Sequence, residues 1–252
     1  MKVYVVTRDR FHPMLAEKLT SSELYVEGPT PARYWGDQWL RVAEKVLKGL
    51  NHSFTNRLTA VEATIAILDS DEYSDKTLAG ALGAEARRLH DLLQLYRSLT
   101  SEPLAAPEPI RLQDIFPIVL RLHEHHVDLQ RIACTVRGDT ETEPVLARYS
   151  ALLRSLLVLL ESVAGNTLRA GATQEVTVWF GNAADEVVVR FAGGAPPDQL
   201  LFSGEGSLLH AVRASLAHAK GRVDGVIRRR GAVAELEYEL RLPRLTQNAP
   251  GG

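Results

Sequence analysis

The sequence predicts an α+β protein in which a long helical hairpin precedes a layered α/β sandwich. Two observations support this fold class. Apolar residues recur every three or four positions over 34–68 and again over 76–99, which is the spacing of one face of a helix. Residues 234–242 alternate apolar and charged side chains, as a strand does when only one face of its sheet is buried.

Length and composition are those of a globular protein. The chain has 252 residues, of which 45% are hydrophobic and 24% charged. Its 29 basic and 31 acidic residues give a net charge of −2, so no overall field would attract nucleic acid or an anionic membrane, and we expect neither as a partner. Cys134 is the single cysteine, which excludes disulfides within the chain. The N-terminal apolar run is too short for a signal peptide, and we expect a cytoplasmic protein.

The N-terminal half is expected to be mostly helical. The extension at residues 1–33 is too short to form a core, although strands and a short helix are predicted within it. The hairpin spans 34–102, and its first helix would be roughly 50 Å long at 1.5 Å per residue. One hairpin cannot cover both of its apolar stripes. We therefore expect two copies of the chain to form a dimeric four-helix bundle.

A proline-rich linker, SEPLAAPEP, precedes a C-terminal domain that we place at 109–245. Strands and helices alternate along this domain in an order that packs as layers. A disordered tail is expected at 246–252. The predicted helices of the domain are 112–125, 145–168 and 208–219.

His52 is the candidate catalytic residue of the hairpin. It lies between the stripe residues Leu50 and Phe54 but points about 160° to 200° away from them, so its ring should face water. An exposed imidazole is a nucleophile that can accept a phosphoryl group, and nearby cations and an amide would stabilise its charge. On these features alone an ordinary surface histidine is the commoner case. The polar residues on the same side of the helix are Lys45, Lys48, Asn56 and Thr59.

The string GLNHSFTNRLTAVE resembles the phosphoacceptor box of histidine kinases and histidine phosphotransferases. In that box a His is followed four residues later by Asn, Thr or Ser, then by a basic residue or Pro and an apolar run. The resemblance implies that His52, Asn56 and Arg57 are the catalytic residues. Kinases that phosphorylate themselves usually carry Glu or Asp directly after the His as a general base. This chain has Ser53, whose hydroxyl cannot act as that base near neutral pH.

The C-terminal domain resembles the ATP-binding domain of the same kinases. The segment LLESVAGNTLRAG is similar to the helix that holds the magnesium ion of the nucleotide. The resemblance places Asn166 at the ligand position and Arg169 at a position that is often basic. The earlier Asn of the family is Ser162 here.

The adenine-binding part of that resemblance is degenerate. Phe191 stands where the family has the Asp that binds the adenine amino group, and Ala195 replaces the second glycine of that turn, although Gly193 remains. Without the carboxylate the site loses most of its discrimination for adenine. Gly204 and Gly206 fit the later glycine box, but the six residues DQLLFS are too few for a lid over a triphosphate. We therefore expect that no cofactor is bound.

A histidine-rich segment, HEHH at 123–126, suggests a metal site at first sight. His123 and Glu124 point apart on a helix, however, and the sequence places no further ligand beside them. No metal site is expected.

The resemblance as a whole is to ChpT-like and sporulation-type histidine phosphotransferases, in which a histidine-bearing hairpin precedes a degenerate kinase-like domain. It implies that His52 shuttles a phosphoryl group between the receiver domains of response regulators, which supply their own magnesium. Two alternatives stay open. The chain could be a catalytically inactive pseudokinase scaffold that binds regulators, or an atypical active kinase.

Overall fold

A computed structural model of the chain describes residues 4–5, 31–68, 75–100, 105–139, 141–171, 174–196, 205–230 and 233–245. Within these residues the protein is a mixed α+β structure with a helical N-terminal part and a sheet in its C-terminal part. The predicted helix and second strand of the extension lie outside the described residues. The same is true of the short connection after Ala195 and of the tail.

The hairpin consists of helix α1, Pro31–Leu68, and helix α2, Asp75–Thr100. The first residue of α1 is a proline, which suits that position because its fixed φ is helical and its missing N–H would have no partner there. Helix α1 begins three residues before its predicted range and ends where predicted, and α2 extends its predicted range by one residue at each end. The 3.6-residue period therefore identified both helices.

The C-terminal part is built around a six-stranded sheet in the order β1-β7-β8-β6-β5-β3. Strands β3 and β5 are parallel, and all other neighbours are antiparallel. Helices α3, α4 and α5 belong to the same part of the chain, and α4 packs on β5, β6 and β8. The strands are β1 Tyr4–Val5, β3 Ala133–Gly138, β5 Glu175–Ala183, β6 Glu186–Ala195, β7 Arg222–Arg230 and β8 Val233–Pro243; the helices are α3 Leu112–Glu124, α4 Tyr149–Ala170 and α5 Glu205–Ser215.

The predicted helix at 145–168 is wrong at its N-terminal end. Residues Val145–Ala147 form strand β4, which pairs with β2, Glu108–Ile110, at the C-terminal end of the predicted linker. Only three residues long, these strands fall below the length at which alternation can be recognised. The helix itself starts at Tyr149 and ends before Gly171, whose φ of +66° is the left-handed conformation that glycine adopts easily.

Helix α4 is the central core helix. By length and apolar composition it could span a membrane, but 72% of its most apolar window is buried inside the protein. It is the one such helix in the described part of the chain. Burial against the sheet accounts for its apolar composition.

The N-terminal half of α1 packs on the C-terminal domain. Val46 and Leu50 are completely buried, and they belong to the same core cluster as α3, α4 and the sheet. The guanidinium of Arg154 on α4 lies 4.9 Å from the ring centroid of Trp39, a cation–π contact between the two parts. Half of the apolar stripe of α1 is thus covered within one chain, which differs from the expectation that only a second copy could cover it. The four-helix bundle remains a prediction.

Candidate functional site

His52 is exposed near the middle of α1, as predicted. The side-chain amide of Asn56, one helical turn later, donates a hydrogen bond from Nδ2 to Nε2 of His52 over 3.2 Å. Because Nε2 accepts this bond, the proton of the neutral ring is on Nδ1 and the nucleophilic lone pair is on Nε2. The pair presents a nucleophilic nitrogen beside an amide donor on an exposed helix face.

The helix backbone next to His52 is held tightly against the C-terminal domain. A Cβ atom on Gly49 would lie 1.8 Å from the carbonyl oxygen of His125, so only glycine permits this approach. The hydroxyl of Ser53 and Nδ1 of His125 form a hydrogen bond over 3.2 Å. Burial lowers the pKa of His125, which favours its neutral ring. Ser53 therefore binds the neighbouring domain, and no carboxylate follows His52.

Lys45 does not join the polar strip around His52 that the sequence suggested. Its Nζ lies 2.9 Å from a carboxylate oxygen of Asp128, in the loop after α3. The hydrogen bond raises the pKa of Lys45 and lowers that of Asp128. Both groups are about half exposed, so the pair adds little stability, but it marks the position at which α1 meets the loop.

Arg57 lies near His52 in the sequence but pairs with α2. Its Nη1 is 3.5 Å from Oε2 of Glu85, and Arg88 donates to the other oxygen of the same carboxylate. Glu85 is buried, so both guanidinium groups are held by a fixed partner. The structure thus brings Asn56 to His52 and directs Arg57 toward α2.

The degenerate nucleotide region has its polar side chains paired with one another. Asn166 is buried; its Nδ2 donates to the carbonyl oxygen of Ser162 over 2.9 Å, and its Oδ1 accepts from Nη2 of Arg169 over 2.7 Å. The hydroxyl of Ser162 lies 3.2 Å from that of Tyr238. An amide oxygen engaged by a guanidinium is poorly placed to bind a cation as well.

The residues that the resemblance places at the adenine-binding turn are parts of the core. Phe191 is fully buried on β6, with its ring centroid 6.2 Å from that of Phe116, and Ala195 is buried at the end of the same strand. A Cβ atom on Gly193 would lie 2.3 Å from Oγ1 of Thr167, so this glycine allows β6 to approach α4. Gly206 lies in the first turn of α5, and Gly204 is outside the described residues.

A cavity of about 360 Å³ separates α1 from α4 at this region. Ser162, Gly165 and Arg169 line it from α4, and Gln38 and Arg41 line it from α1. The cavity thus lies between α1 and the face of α4 that carries Ser162, Gly165 and Arg169.

The histidines of the HEHH segment form a buried charge network. Nδ1 of His123 is 2.8 Å from Oε1 of Glu161, and its Nε2 donates to the carbonyl oxygen of Ile132 over 3.1 Å. Since both ring nitrogens face acceptors, the ring is an imidazolium. Burial alone would lower the pKa of His123, but hydrogen bonds with Cys134 and Glu161 and the charge of Glu161 raise it to about 10.

His126 extends the network to the loop that contacts α1. Its Nδ1 accepts the backbone N–H groups of Asp128 and Leu129, so its proton is on Nε2, which lies 3.6 Å from Oε2 of Glu161. Burial lowers the pKa of His126. In the described part of the chain no group of three or more side chains is arranged to hold a metal ion. Sequence analysis missed Glu161, although a lone carboxylate within an apolar helix requires a buried partner.

Comparisons with known proteins give low similarity. No protein-family model matches the chain, and no curated protein matches it. The histidine kinase AdeS of Acinetobacter baumannii aligns over 77% of this chain and 98% of its own, at 16% identity and a TM-score of 0.42. A bacterial phosphotransferase aligns over 79% and 96%, at 12% identity and a TM-score of 0.38. The histidine kinase ThkA, in complex with the response regulator protein TrrA, aligns over 83% of this chain and 64% of its own, at 14% identity and a TM-score of 0.40. These values do not place the chain in a family.

Proposed function

We propose that the protein is a histidine phosphotransferase that moves a phosphoryl group between response-regulator receiver domains through His52. The main support is the exposed pair of His52 and Asn56, in which Nε2 of the imidazole accepts the amide hydrogen bond. This nitrogen is nucleophilic in the neutral ring and sits on an open helix face that a partner can approach.

The transfer requires few groups from this chain. Nε2 of His52 attacks the phosphorus of an aspartyl phosphate, the bond from phosphorus to the carboxylate oxygen breaks, and the proton on Nδ1 stays on the ring. The amide of Asn56 then donates to a phosphoryl oxygen instead of to Nε2. The reverse step delivers the group to a second receiver. Positioning and charge stabilisation provide most of the catalysis in such transfers, and the receiver supplies its own magnesium.

The proposal includes no nucleotide cofactor. Asn166 is engaged by Arg169, and Phe191 is a core residue that offers no carboxylate to adenine. The bond between Asn166 and Arg169 would have to be broken before Asn166 could hold a magnesium ion in the manner of a kinase. The C-terminal domain is instead proposed to hold α1 in place and to provide a second contact for the partner.

A second copy of the chain is the other proposed partner. Apolar side chains are exposed on both helices of the hairpin. Pairing of two hairpins would bury them in a four-helix bundle. The buried position of α4 fits a cytoplasmic protein, which we also propose. The exposed side chains are Leu58, Ile65, Ile67, Leu93 and Tyr96.

A scaffold that binds receivers without transfer is the second candidate. One observation favours it: the residue after His52 has its hydroxyl bonded to His125, so no general base stands beside the imidazole. Transfer from an acyl phosphate to a neutral imidazole does not need such a base, because Nε2 carries no proton that has to be removed. For this reason we place transferase activity first.

The test uses receiver domains from the same genome, phosphorylated with a small-molecule acyl phosphate. Transfer predicts acid-labile, base-stable phosphate on the wild-type protein and none on His52→Ala. Incubation with labelled ATP and magnesium should leave both proteins unlabelled. Stable receiver binding without labelling would establish the scaffold, and labelling from ATP would establish a kinase.

A further inference from the structure

A groove of about 230 Å³ lies beside His52 where α1, α2 and α3 meet. Its walls include three guanidinium groups, those of Arg57, Arg88 and Arg121, and we call it the basic groove. Ser53 and Arg57 line it from α1, each one position after a member of the His52 and Asn56 pair. The remaining lining residues are Asp91, Leu92 and His125.

The three guanidinium groups are held in place but retain free donors. Glu85 accepts from Nη1 of both Arg57 and Arg88, and Oδ2 of Asp91 lies 4.0 Å from Nη2 of Arg121. Each guanidinium carries five N–H donors in a planar fork. Most of these donors have no acceptor in the described part of the chain. Each of the three side chains is about half exposed, so the donors can reach a partner.

The groove is locally positive on a chain whose net charge is −2. The described lining carries three guanidinium groups and one carboxylate, that of Asp91, while Glu85 is buried beneath Arg57 and Arg88 and the charge of Glu124 reaches His125. His125 adds no negative charge, and exposed Lys48 on α1 adds a further cation to the His52 side. A local excess of this sign attracts an acidic surface over distances up to the Debye length.

The groove exists only when the hairpin and the C-terminal domain are docked. Arg57 comes from α1, Arg88 from α2, and Arg121 from α3 of the C-terminal domain. The close contact between Gly49 and His125 fixes the approach of α1 to α3. The C-terminal domain therefore contributes a charged side chain next to His52 without binding a nucleotide.

We propose that the basic groove binds carboxylate side chains on the acidic face of the protein that exchanges the phosphoryl group with His52. This inference rests on the proposed function. An aspartyl phosphate and the carboxylates that hold its magnesium form such a face. Guanidinium forks match carboxylates in two-point contacts, and guanidinium groups from three helices fix the orientation of the partner as well as its approach.

The test reverses one charge at a time. Arg88→Glu and Arg121→Glu change the groove, whereas Arg87→Glu changes an exposed arginine on α2 that does not line it. His52 is first phosphorylated chemically with phosphoramidate, and discharge is timed with the receiver that the wild-type protein discharges to fastest. We expect each groove variant to raise KM for the receiver about tenfold at low salt with kcat nearly unchanged. Arg87→Glu should change KM for the receiver by less than about twofold. Salt at ~0.5 M should reduce the increase in KM that the groove variants show.

Folding of each variant is checked by circular dichroism and by its rate of labelling with phosphoramidate. Arg121→Gln removes the cation without placing two carboxylates side by side, and should give an intermediate increase in KM. If the groove variants had the same KM as Arg87→Glu, or if they lowered only kcat, the inference would be overturned. The proposed transferase function would still stand. A wild-type protein that discharges to no receiver would overturn both.

Discussion

The two halves of helix α1 carry the same apolar stripe but differ in what covers it. Val46 and Leu50, in the first half, are completely buried in the core cluster that α1 shares with α2 and the C-terminal domain. Leu58 and Ile65, in the second half, remain 52% and 46% exposed. Periodicity therefore identifies the face of a helix that is to be buried without identifying what buries it. His52 lies between the two halves.

The covered half is positioned by polar and steric contacts as well as by apolar burial. Gly49 and Ser53 both contact His125, and Lys45 pairs with Asp128 in the same loop. Behind that loop lies the buried network of His123, His126 and Glu161. In the exposed half Arg57 pairs with Glu85 of α2, and the exposed apolar side chains leave this half available for a second copy of the chain.

The largest expected effect comes from Leu50→Asp in the covered half. It would place an unpaired charge in the shared core, and we expect a loss of about 4 kcal/mol or more in the free energy of unfolding. Urea denaturation at fixed protein concentration measures it. Leu50→Met, which conserves volume, should lose less than about 1.5 kcal/mol. An Asp variant as stable as the wild type would mean that α1 does not dock as described.

The next effect concerns the buried network. Glu161→Gln leaves the His123 imidazolium without its charged partner and should lower the free energy of unfolding by about 3 kcal/mol at neutral pH. The pKa of His123 is raised to about 10 in the folded protein from about 6.5 when unfolded. Its stabilising contribution is therefore complete below about pH 6.5 and is lost as the pH rises toward 10.

Denaturation curves between pH 6 and 10 separate this network from a general effect of alkali. Wild-type stability should decline across the window, whereas Glu161→Gln should decline less, because only Cys134 then remains to raise the pKa of its histidine. Parallel declines in the two proteins would contradict the assignment of the charge to His123.

A third effect tests the exposed half. Ile65→Asp puts a carboxylate on the surface proposed to meet a second copy, and we expect a folded monomer in place of a dimer. Light scattering measures the mass, and circular dichroism should show the helices retained because Ile65 is not in the core of a single chain. Glu62→Asp, an exposed change of the same helix, is the control. A wild-type protein that is already monomeric would rule out the bundle.

Much of the fold could be predicted from the sequence because long helices and alternating strands are set by local periodicity. The docking of α1 on the C-terminal domain could not be predicted, because the periodicity of Val46 and Leu50 is the same whether they pack against another chain or against their own. The pairing of His52 with Asn56 followed from the spacing of one helical turn. The pairing of Arg57 with α2 could not be predicted in this way, because its partner Glu85 lies 28 residues away and no local spacing rule connects the two.

The smallest expected effect on stability belongs to His52→Ala, at the border between the two halves. The imidazole is exposed and its bond to Asn56 joins two exposed groups, so the free energy of unfolding should change by no more than about 0.5 kcal/mol. Labelling by a phosphorylated receiver should nevertheless disappear, because no other group replaces Nε2 as the acceptor. Asn56→Ala should slow transfer without abolishing it, since the lone pair remains and only the amide donor is lost.

His90→Ala is the matched control: His90 is also exposed and pairs with an amide one turn later, on α2, but lies outside the phosphoacceptor box. Equal labelling of His52→Ala and His90→Ala would remove His52 from the proposed reaction.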